Sequence, residues 1–198
     1  MVHIFTSHKE SSRFPGKNAV LLPYTVSWLD RAIPLLGEQS RVYCAGDRLG
    51  GIPRDWKFVP VDTSIGHMGV LSAAECAASP VEGDVCVLVQ FTQPLREPSL
   101  LRRAVELCRG TGKTVVSATE MPDPEWRRMG ADGTWSPYKS HDRVLYHDGR
   151  IYAWHPGHVA DVFDSSAEHA VVLTSLPFIV DVGDPEDWPV ELQSIVAR

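Results

Sequence analysis

Short apolar runs alternate with helix-spaced apolar positions from the first residues to Ala118. Val2 to Thr6 reads as a strand, and a polar loop from Ser7 to Asn18 follows it. Val26, Leu29, Ile33 and Leu36 recur at helical spacing, which predicts one apolar helix face beyond Pro23. Arg41 to Ala45 reads as a second strand and Lys57 to Val61 as a third. A helix is predicted over Gly66 to Ala78, where small residues allow close packing on a sheet. Val85-Cys86-Val87-Leu88-Val89 is a continuous apolar run, as expected of a strand covered on both faces. Leu100, Ala104, Leu107 and Cys108 give the next helix a buried stripe, and Thr114 to Ala118 returns to the sheet. This alternation predicts an α/β fold of three layers around a mostly parallel sheet.

The rhythm breaks between Met121 and Tyr146, where Pro122, Pro124, Gly130, Gly133 and Pro137 stand among Trp126, Trp135 and Tyr138. So long an excursion suggests a lid, a dimer arm, or both, and its aromatics suit an interface or closure over a sugar. Arg143 to Tyr146 and Arg150 to Trp154 flank His147-Asp148-Gly149, which reads as a tight hairpin. Ala170 to Thr174 and Phe178 to Val182 read as late strands. A terminal helix follows, with Asp184 as N-cap and Pro185 at its first position. No repeat or linker divides the chain, so residues 1–198 are expected to form one domain.

Composition narrows the function classes. Nineteen Lys and Arg against 25 Asp and Glu give a formal net charge of −6, which argues against a broad basic footprint for duplex nucleic acid. Cys44, Cys76, Cys86 and Cys108 lie apart in apolar stretches without a CxxC, and read as buried free thiols in a reducing compartment. Neither a signal peptide nor a membrane-length apolar run is seen, so a soluble cytoplasmic protein is expected. His155 and His158 stand three apart near Pro156 and Gly157, with nothing nearby to complete a metal set, and read as loop histidines.

The candidate chemistry starts in the loop after the first strand. His8, Lys9, Arg13 and Lys17 bring four candidate cations within ten positions, with the Ser11 and Ser12 hydroxyls between them and a turn at Pro15-Gly16. An arginine fork and a compact lysine charge suit a triphosphate, and a loop leaving the carboxyl edge of a parallel sheet is where such folds bind nucleotides. The loop is neither a Walker A nor a GxGxxG motif. A solvated basic loop is the plainer alternative.

Ser11-Ser12-Arg13-Phe14-Pro15-Gly16-Lys17-Asn18 resembles the signature loop of the cytidylyltransferases that activate acidic sugars, the CMP-N-acetylneuraminate, CMP-Kdo and spore-coat polysaccharide group. Gln90-Phe91-Thr92-Gln93-Pro94-Leu95-Arg96 is similar to that family's Gln-Pro-Thr-Ser-Pro-Leu-Arg. Asp148-Gly149-Arg150-Ile151-Tyr152 resembles its Asn-Gly-Ala-Ile-Tyr, and Val180 to Asp187 resembles its Asp-Ile-Asp-Thr-Pro-Glu-Asp. The four segments fall in the family's order and span almost the whole chain. The resemblance implies the nucleotide-diphospho-sugar transferase fold (GT-A-like, Rossmann-like).

It also implies roles. Ser11, Arg13 and Lys17 would bind the triphosphate, with His8, Lys9 and Ser12 in the same nucleotide-binding loop and Asn18 holding it. Asp47, after the second strand, would lie near the nucleotide; a turn aspartate in Ala-Gly-Asp is its other reading. Gln90 would stand at the floor of the site near the sugar, with Gln93 and Tyr152 among the substrate residues and Arg96 at the edge of the substrate pocket. Asp181 would hold a magnesium ion, helped by Asp184. Arg13, Lys17 and Asp181 would carry catalysis by positioning and charge neutralisation.

Three departures stand out. His8 replaces the family's opening Arg, Lys9 and Glu10 replace glycines, and Gly183 replaces the second metal-site Asp. The leading expectation is a CTP-dependent nucleotidyltransferase acting on an acidic sugar, as a homodimer. The alternatives are a nucleotide- or sugar-binding homologue with impaired catalysis, and a transferase with a non-sugar acceptor such as a phosphonate or a modified nucleotide. A glycosyltransferase is weaker still, since an Asp-x-Asp motif is absent.

Overall fold

A computed structural model describes residues 1–8, 16–94, 96–121, 128–129, 135–136, 139–140 and 143–174. The elements follow the sequence rhythm: β1 (Val2–His8), α1 (Lys17–Ala32), β2 (Ser40–Gly46), β3 (Lys57–Pro60), α2 (Gly66–Ala78), β4 (Val85–Val89), α3 (Ser99–Thr111) and β5 (Val115–Met121). Three two-residue strands come next, β6 (Arg128–Met129), β7 (Trp135–Ser136) and β8 (Lys139–Ser140). The long β9 (Arg143–Trp154) and then β10 (Ala170–Thr174) complete the set.

The sheet order is β10-β5-β9-β4-β1-β2-β3, with β8 also paired to β9 and β6 paired to β7 apart. β3, β2, β1 and β4 run parallel, as do β5 and β10, while β9 is antiparallel to both β4 and β5.

The period-2 alternation of each central strand feeds two cores. Val2 and Ile4 of β1, Val42 and Cys44 of β2, Val85, Val87 and Val89 of β4, and Ile151 and Ala153 of β9 face α1 and α3. Phe5, Tyr43, Cys86, Leu88, Tyr152 and Trp154 face the other way, against Val70, Leu71 and Ala74 of α2. Both faces are therefore dry, which is why β4 reads as an unbroken apolar run. This is the three-layer α/β arrangement that the alternation predicts.

The sequence reading needs four corrections. The first helix starts at Lys17 and not after Pro23, which lies inside it. Pro23 and Ala19 are both exposed, so the carbonyl that loses its intrahelical donor is open to water. Leu36 and Ile33 fall in a 3₁₀ turn beyond the helix. The hairpin at His147-Asp148-Gly149 is not a reversal: the chain runs straight through as one strand. β9 pairs with β5 on both sides of that tripeptide, and the register slips between Val116↔Tyr152 and Ala118↔His147. Gly149 has φ 66°, so the turn-like signal makes a bulge. Cys44, Cys86 and Cys108 are buried as expected, but Cys76 is exposed. Burial raises the Cys108 thiol to about 11.

Phe178–Val182 and the helix after Asp184 lie outside the described residues, as does most of the Met121–Tyr146 excursion, including Trp126 and Tyr138. Among the described residues, no helix is long and apolar enough to cross a membrane.

A buried polar cluster closes the edge of the sheet where β1 and β4 begin. Asp84 (6% exposed) takes His3 Nε2 at 3.0 Å, the Val81 N–H at 3.0 Å and the Met1 amino group at 3.0 Å. Burial pushes its carboxyl up, but these donors outweigh it and hold the pKa at about 2. A carboxyl depressed in the folded state stabilises the fold above its unfolded pKa, roughly 3.9, and loses that contribution as pH falls toward 2. Asp84→Asn is therefore expected to be less stable than the parent at pH 7, with the gap closing between about pH 4 and pH 2. Urea unfolding across that range measures it.

Candidate active site

The strand order reverses between β1 and β4: the chain leaves β1 toward β2 and β3, then returns to place β4 on the other side. The carboxyl ends of β1 and β4 therefore flank a crevice, the usual ligand site of open parallel sheets. His8 ends β1 opposite Gly46 of β2. Lys17, partly buried, opens α1 immediately after Gly16, whose φ of 80° places it in the left-handed region. No acidic residue occupies the first turn of α1, so its N-terminal dipole is unopposed there. Asn18 is 8% exposed. Lys9, Ser11, Ser12 and Arg13 lie outside the described residues.

On the β4 side the expected substrate residues converge. Gln90 follows β4 directly, and Thr92 Oγ1 donates to its Oε1 at 3.4 Å. The Gln93 N–H donates to the Gln90 carbonyl at 3.3 Å, and Gln93 itself is 7% exposed. From β9, Tyr152 hydrogen-bonds the Gln90 side chain. Its hydroxyl pKa is raised chiefly by burial, with the Asp148 charge adding to that and the Gln90 bond opposing it. Gly149 lies beneath them: a Cβ there would stand 3.6 Å from Gln90 Oε1, 3.7 Å from the Tyr152 hydroxyl and 3.9 Å from Gln93 Cγ.

Gln90 also lines an open pocket of about 480 Å³ with Ile65, Gly66, His67, Met68 and Phe163. The rings of His67 and Phe163 meet edge-on at 5.1 Å, and Phe163 meets Tyr152 at 5.0 Å. Asp47 follows β2 directly, and its carboxylate receives the Thr63 hydroxyl at 3.3 and 3.4 Å. That bond ties the end of β2 to the turn entering α2.

Arg96 needs a correction. It is not at an open pocket edge but 6% exposed, where it donates from Nε to the Arg150 carbonyl at 2.9 Å and from Nη2 to the Gln90 carbonyl. Its guanidinium lies 5.3 Å from the Trp28 ring centroid. Burial lowers its pKa to about 9, with the Arg150 charge acting in the same direction and Asp148 opposing.

Sequence reasoning missed the support below. Arg150 and Asp148 form a buried ion pair at 2.5 Å, 1% and 0% exposed at their side chains. The Asp148 carboxylate also takes the hydroxyls of Ser117 at 2.5 Å, Thr119 at 2.9 Å and Thr174 at 2.9 Å. Arg150 Nη1 reaches Thr119 and Thr174 at 2.8 and 2.6 Å. Ser117 and Thr119 were a readable hint, since hydroxyls two apart in an apolar strand share one face. Glu75 is a further buried acid. It receives Trp154 Nε1 at 3.1 Å and the Gly157 N–H at 2.6 Å, fixing the turn that leads toward Phe163. The Phe163 contribution had no local signal.

His155 Nε2 meets the Cys108 carbonyl near the end of α3 at 3.2 Å, and His158 Nδ1 meets Asp161 within its own turn at 3.1 Å. Among the described residues, no group of three or more His, Cys, Asp or Glu could hold a metal. Asp181 and Asp184 lie outside them.

Gly149→Ala is expected to strain the bulge, because φ near +66° costs a Cβ-bearing residue about 1–2 kcal/mol. For a chain of this size that lowers Tm by a few degrees. The same methyl would make only ordinary van der Waals contact with Gln90 and Tyr152, so the cost comes from the backbone; thermal melts and Tyr152 ring resonances are the checks.

No family model matches the chain. It is 30% identical over 118 residues to a CMP-N,N'-diacetyllegionaminic acid synthase from Legionella pneumophila subsp. pneumophila, covering 53% of this chain and 51% of the relative. The match thus spans about half of that relative's length. Three solved structures share the fold. A 4-diphosphocytidyl-2C-methyl-D-erythritol synthase from Anaerococcus prevotii has TM-score 0.59 and 12% identity, covering 100% of this chain and 98% of its own. A CMP:2-keto-3-deoxy-manno-octonic acid synthetase complexed with CTP has TM-score 0.61 and 15% identity, covering 99% and 98%. A manganese complex of a Mycobacterium tuberculosis H37Rv protein has TM-score 0.59 and 15% identity, covering 98% of each. The resemblance to cytidylyltransferases is borne out by the relative, and the nucleotide-sugar transferase type of fold by the structures.

Proposed function

We propose that the chain is a cytidylyltransferase that takes CTP, joins CMP to a hydroxyl of an acidic sugar and releases pyrophosphate. The observation that carries this reading is the convergence of Gln90, Gln93 and Tyr152 at the end of β4, with Lys17 opening the helix that follows β1. The CMP-sugar synthase relative supports the substrate class, and the CTP complex of a neighbour with the same fold supports the nucleotide.

In this reading a sugar hydroxyl oxygen attacks the α-phosphorus, and the bond to the bridging oxygen of pyrophosphate breaks. The hydroxyl proton is lost, and pyrophosphate carries away the negative charge. Ser11, Arg13 and Lys17, with His8, Lys9 and Ser12 in the same loop, would neutralise and orient the triphosphate, and charge placed where charge develops is the main source of acceleration. Gln90 and Gln93 would hold the acceptor by amide hydrogen bonds, with Tyr152 fixing the Gln90 side chain. Asp47 would stand near the nucleotide. A magnesium ion, proposed at Asp181 with help from Asp184, would supply further neutralisation of the triphosphate when bound. A homodimer, with the Met121–Tyr146 excursion as arm or lid, completes the proposal.

The test is pyrophosphate release from CTP, ATP, GTP and UTP with a panel of acidic sugars. Release with CTP and at least one 2-keto-3-deoxy acid is the expected result. Silence with every nucleotide, despite CTP raising Tm, would replace the enzyme by a nucleotide-binding homologue, the outcome that Gly183 at the second metal position would explain.

A further inference from the structure

We propose that Arg96 is a positioning residue that fixes Gln90 by spanning two backbone carbonyls, an inference that rests on Gln90 being a substrate residue. β4 pairs with β9 only as far as Val89↔Ile151. The Gln90 carbonyl therefore lies past the ladder, half-buried, where a donor must come from outside the strand pairing. It receives the Gln93 N–H at 3.3 Å and Arg96 Nη2. The same guanidinium gives Nε to the Arg150 carbonyl at 2.9 Å, so one rigid fork locks the chain after β4 to the bulge of β9.

The anchor end is itself fixed. Arg150 is held by Asp148, whose carboxylate is filled by Ser117, Thr119 and Thr174. The guanidinium also lies over the Trp28 ring, 5.3 Å from its centroid, and Trp28 Nε1 donates to the Glu97 carbonyl at 3.0 Å. Force passes from the buried network through the Arg150 carbonyl and Arg96 to Gln90, and from Gln90 to Tyr152.

Burying this guanidinium is costly. No carboxylate pairs with it among the described residues, and its Nη1 has no partner among them. A neutral side chain would end the strand without that cost. What a lysine cannot do is reach two carbonyls from separate nitrogens of one rigid planar group, as Nε and Nη2 do here. The geometry therefore points to placement of Gln90 as the reason for the charge.

Two measurements decide it. In the parent protein, the Arg96 Nε–H is expected to exchange slowly with solvent in ¹H–¹⁵N spectra; fast exchange overturns the proposal. In Arg96→Lys, the side-chain amide signals of Gln90 and the Gly149 N–H are expected to move while the β1 and β2 amides stay. Unmoved Gln90 signals overturn it. Where turnover is measurable, Arg96→Lys is expected to lower kcat with the acceptor by up to about 10²-fold, with the nucleotide KM little changed. An equal rise in both KM values with kcat intact overturns positioning. A parent protein without turnover counts against the function proposed above, and the exchange and amide measurements then decide Arg96 alone. If Arg96→Lys does not fold, the parent measurement decides.

Discussion

Asp148→Ala is expected to be the most destabilising single change in the described part of the chain. It would remove the Asp148 carboxylate, itself 0% exposed, that pairs with the Arg150 guanidinium, 1% exposed. Breaking a buried pair from one side costs about 3–5 kcal/mol, because the remaining charge keeps its desolvation penalty. Three hydroxyls lose their acceptor at the same time. For a chain of this length, Tm is expected to fall by roughly 10 °C.

The control is a double substitution. The family motif that Asp148-Gly149-Arg150 resembles has Asn and Ala at the two outer positions, so the two departures read as one exchange: a neutral pair replaced by an ion pair. Asp148→Asn combined with Arg150→Met is expected to recover most of the stability lost by Asp148→Asn alone. Replacing both members of a buried pair by groups of similar volume is often neutral. A double-mutant cycle from urea midpoints measures the coupling, expected at about 1–3 kcal/mol for residues in contact. Additive losses would show that the pair is incidental to the fold.

The same residues show how far the sequence could be read. Strands β1, β2, β4 and β5 were legible because both of their faces are buried, so each carries an apolar signal independent of its partners. α3 was legible for the related reason that its stripe of Leu100, Leu101, Ala104, Val105 and Cys108 faces one core. β9 was half legible. His147-Asp148-Gly149 carries the composition of a turn, and what a turn signal does depends on which strands lie beside it. Here β5 pairs with both flanks and the Asp148 carboxylate finds hydroxyls on β5 and β10, so the chain bulges and continues. Those hydroxyls lie 31, 29 and 26 residues from Asp148, beyond any local pattern.

Arg96 failed for a similar reason. Its motif placed it near substrate, but the reach of its side chain to the Arg150 carbonyl, 54 residues away, is a property of the assembled sheet. The Lys17 half of the site was legible in outline. The strand, the Gly16 turn and the helix start all follow from local rules, and only the start of α1 was misplaced. Pro23 looked like a boundary until the structure put it on the solvent side.

Lys17→Ala is the change expected to separate chemistry from fold. Lys17 is the first residue of α1 and only partly buried, so truncating it leaves both cores intact and should alter Tm little. At a helix start, a cation is disfavoured by the dipole unless something anionic faces it. A lysine there, with no acidic residue in the first turn, suits the anionic triphosphate proposed above. If the triphosphate binds there, removing one preorganised charge is expected to cost roughly 10²–10³ in kcat, the usual loss when a single transition-state donor is deleted. CTP should also give a smaller rise in Tm, since stabilisation by a ligand follows its affinity for the native state. Lys17→Arg keeps the charge but changes its shape from a point to a fork, so partial recovery of binding with poor recovery of kcat is expected. If Lys17→Ala instead leaves both the CTP-induced shift and pyrophosphate release unchanged, the triphosphate does not lie at the start of α1. The crevice would then have to bind its ligand from the β4 side alone.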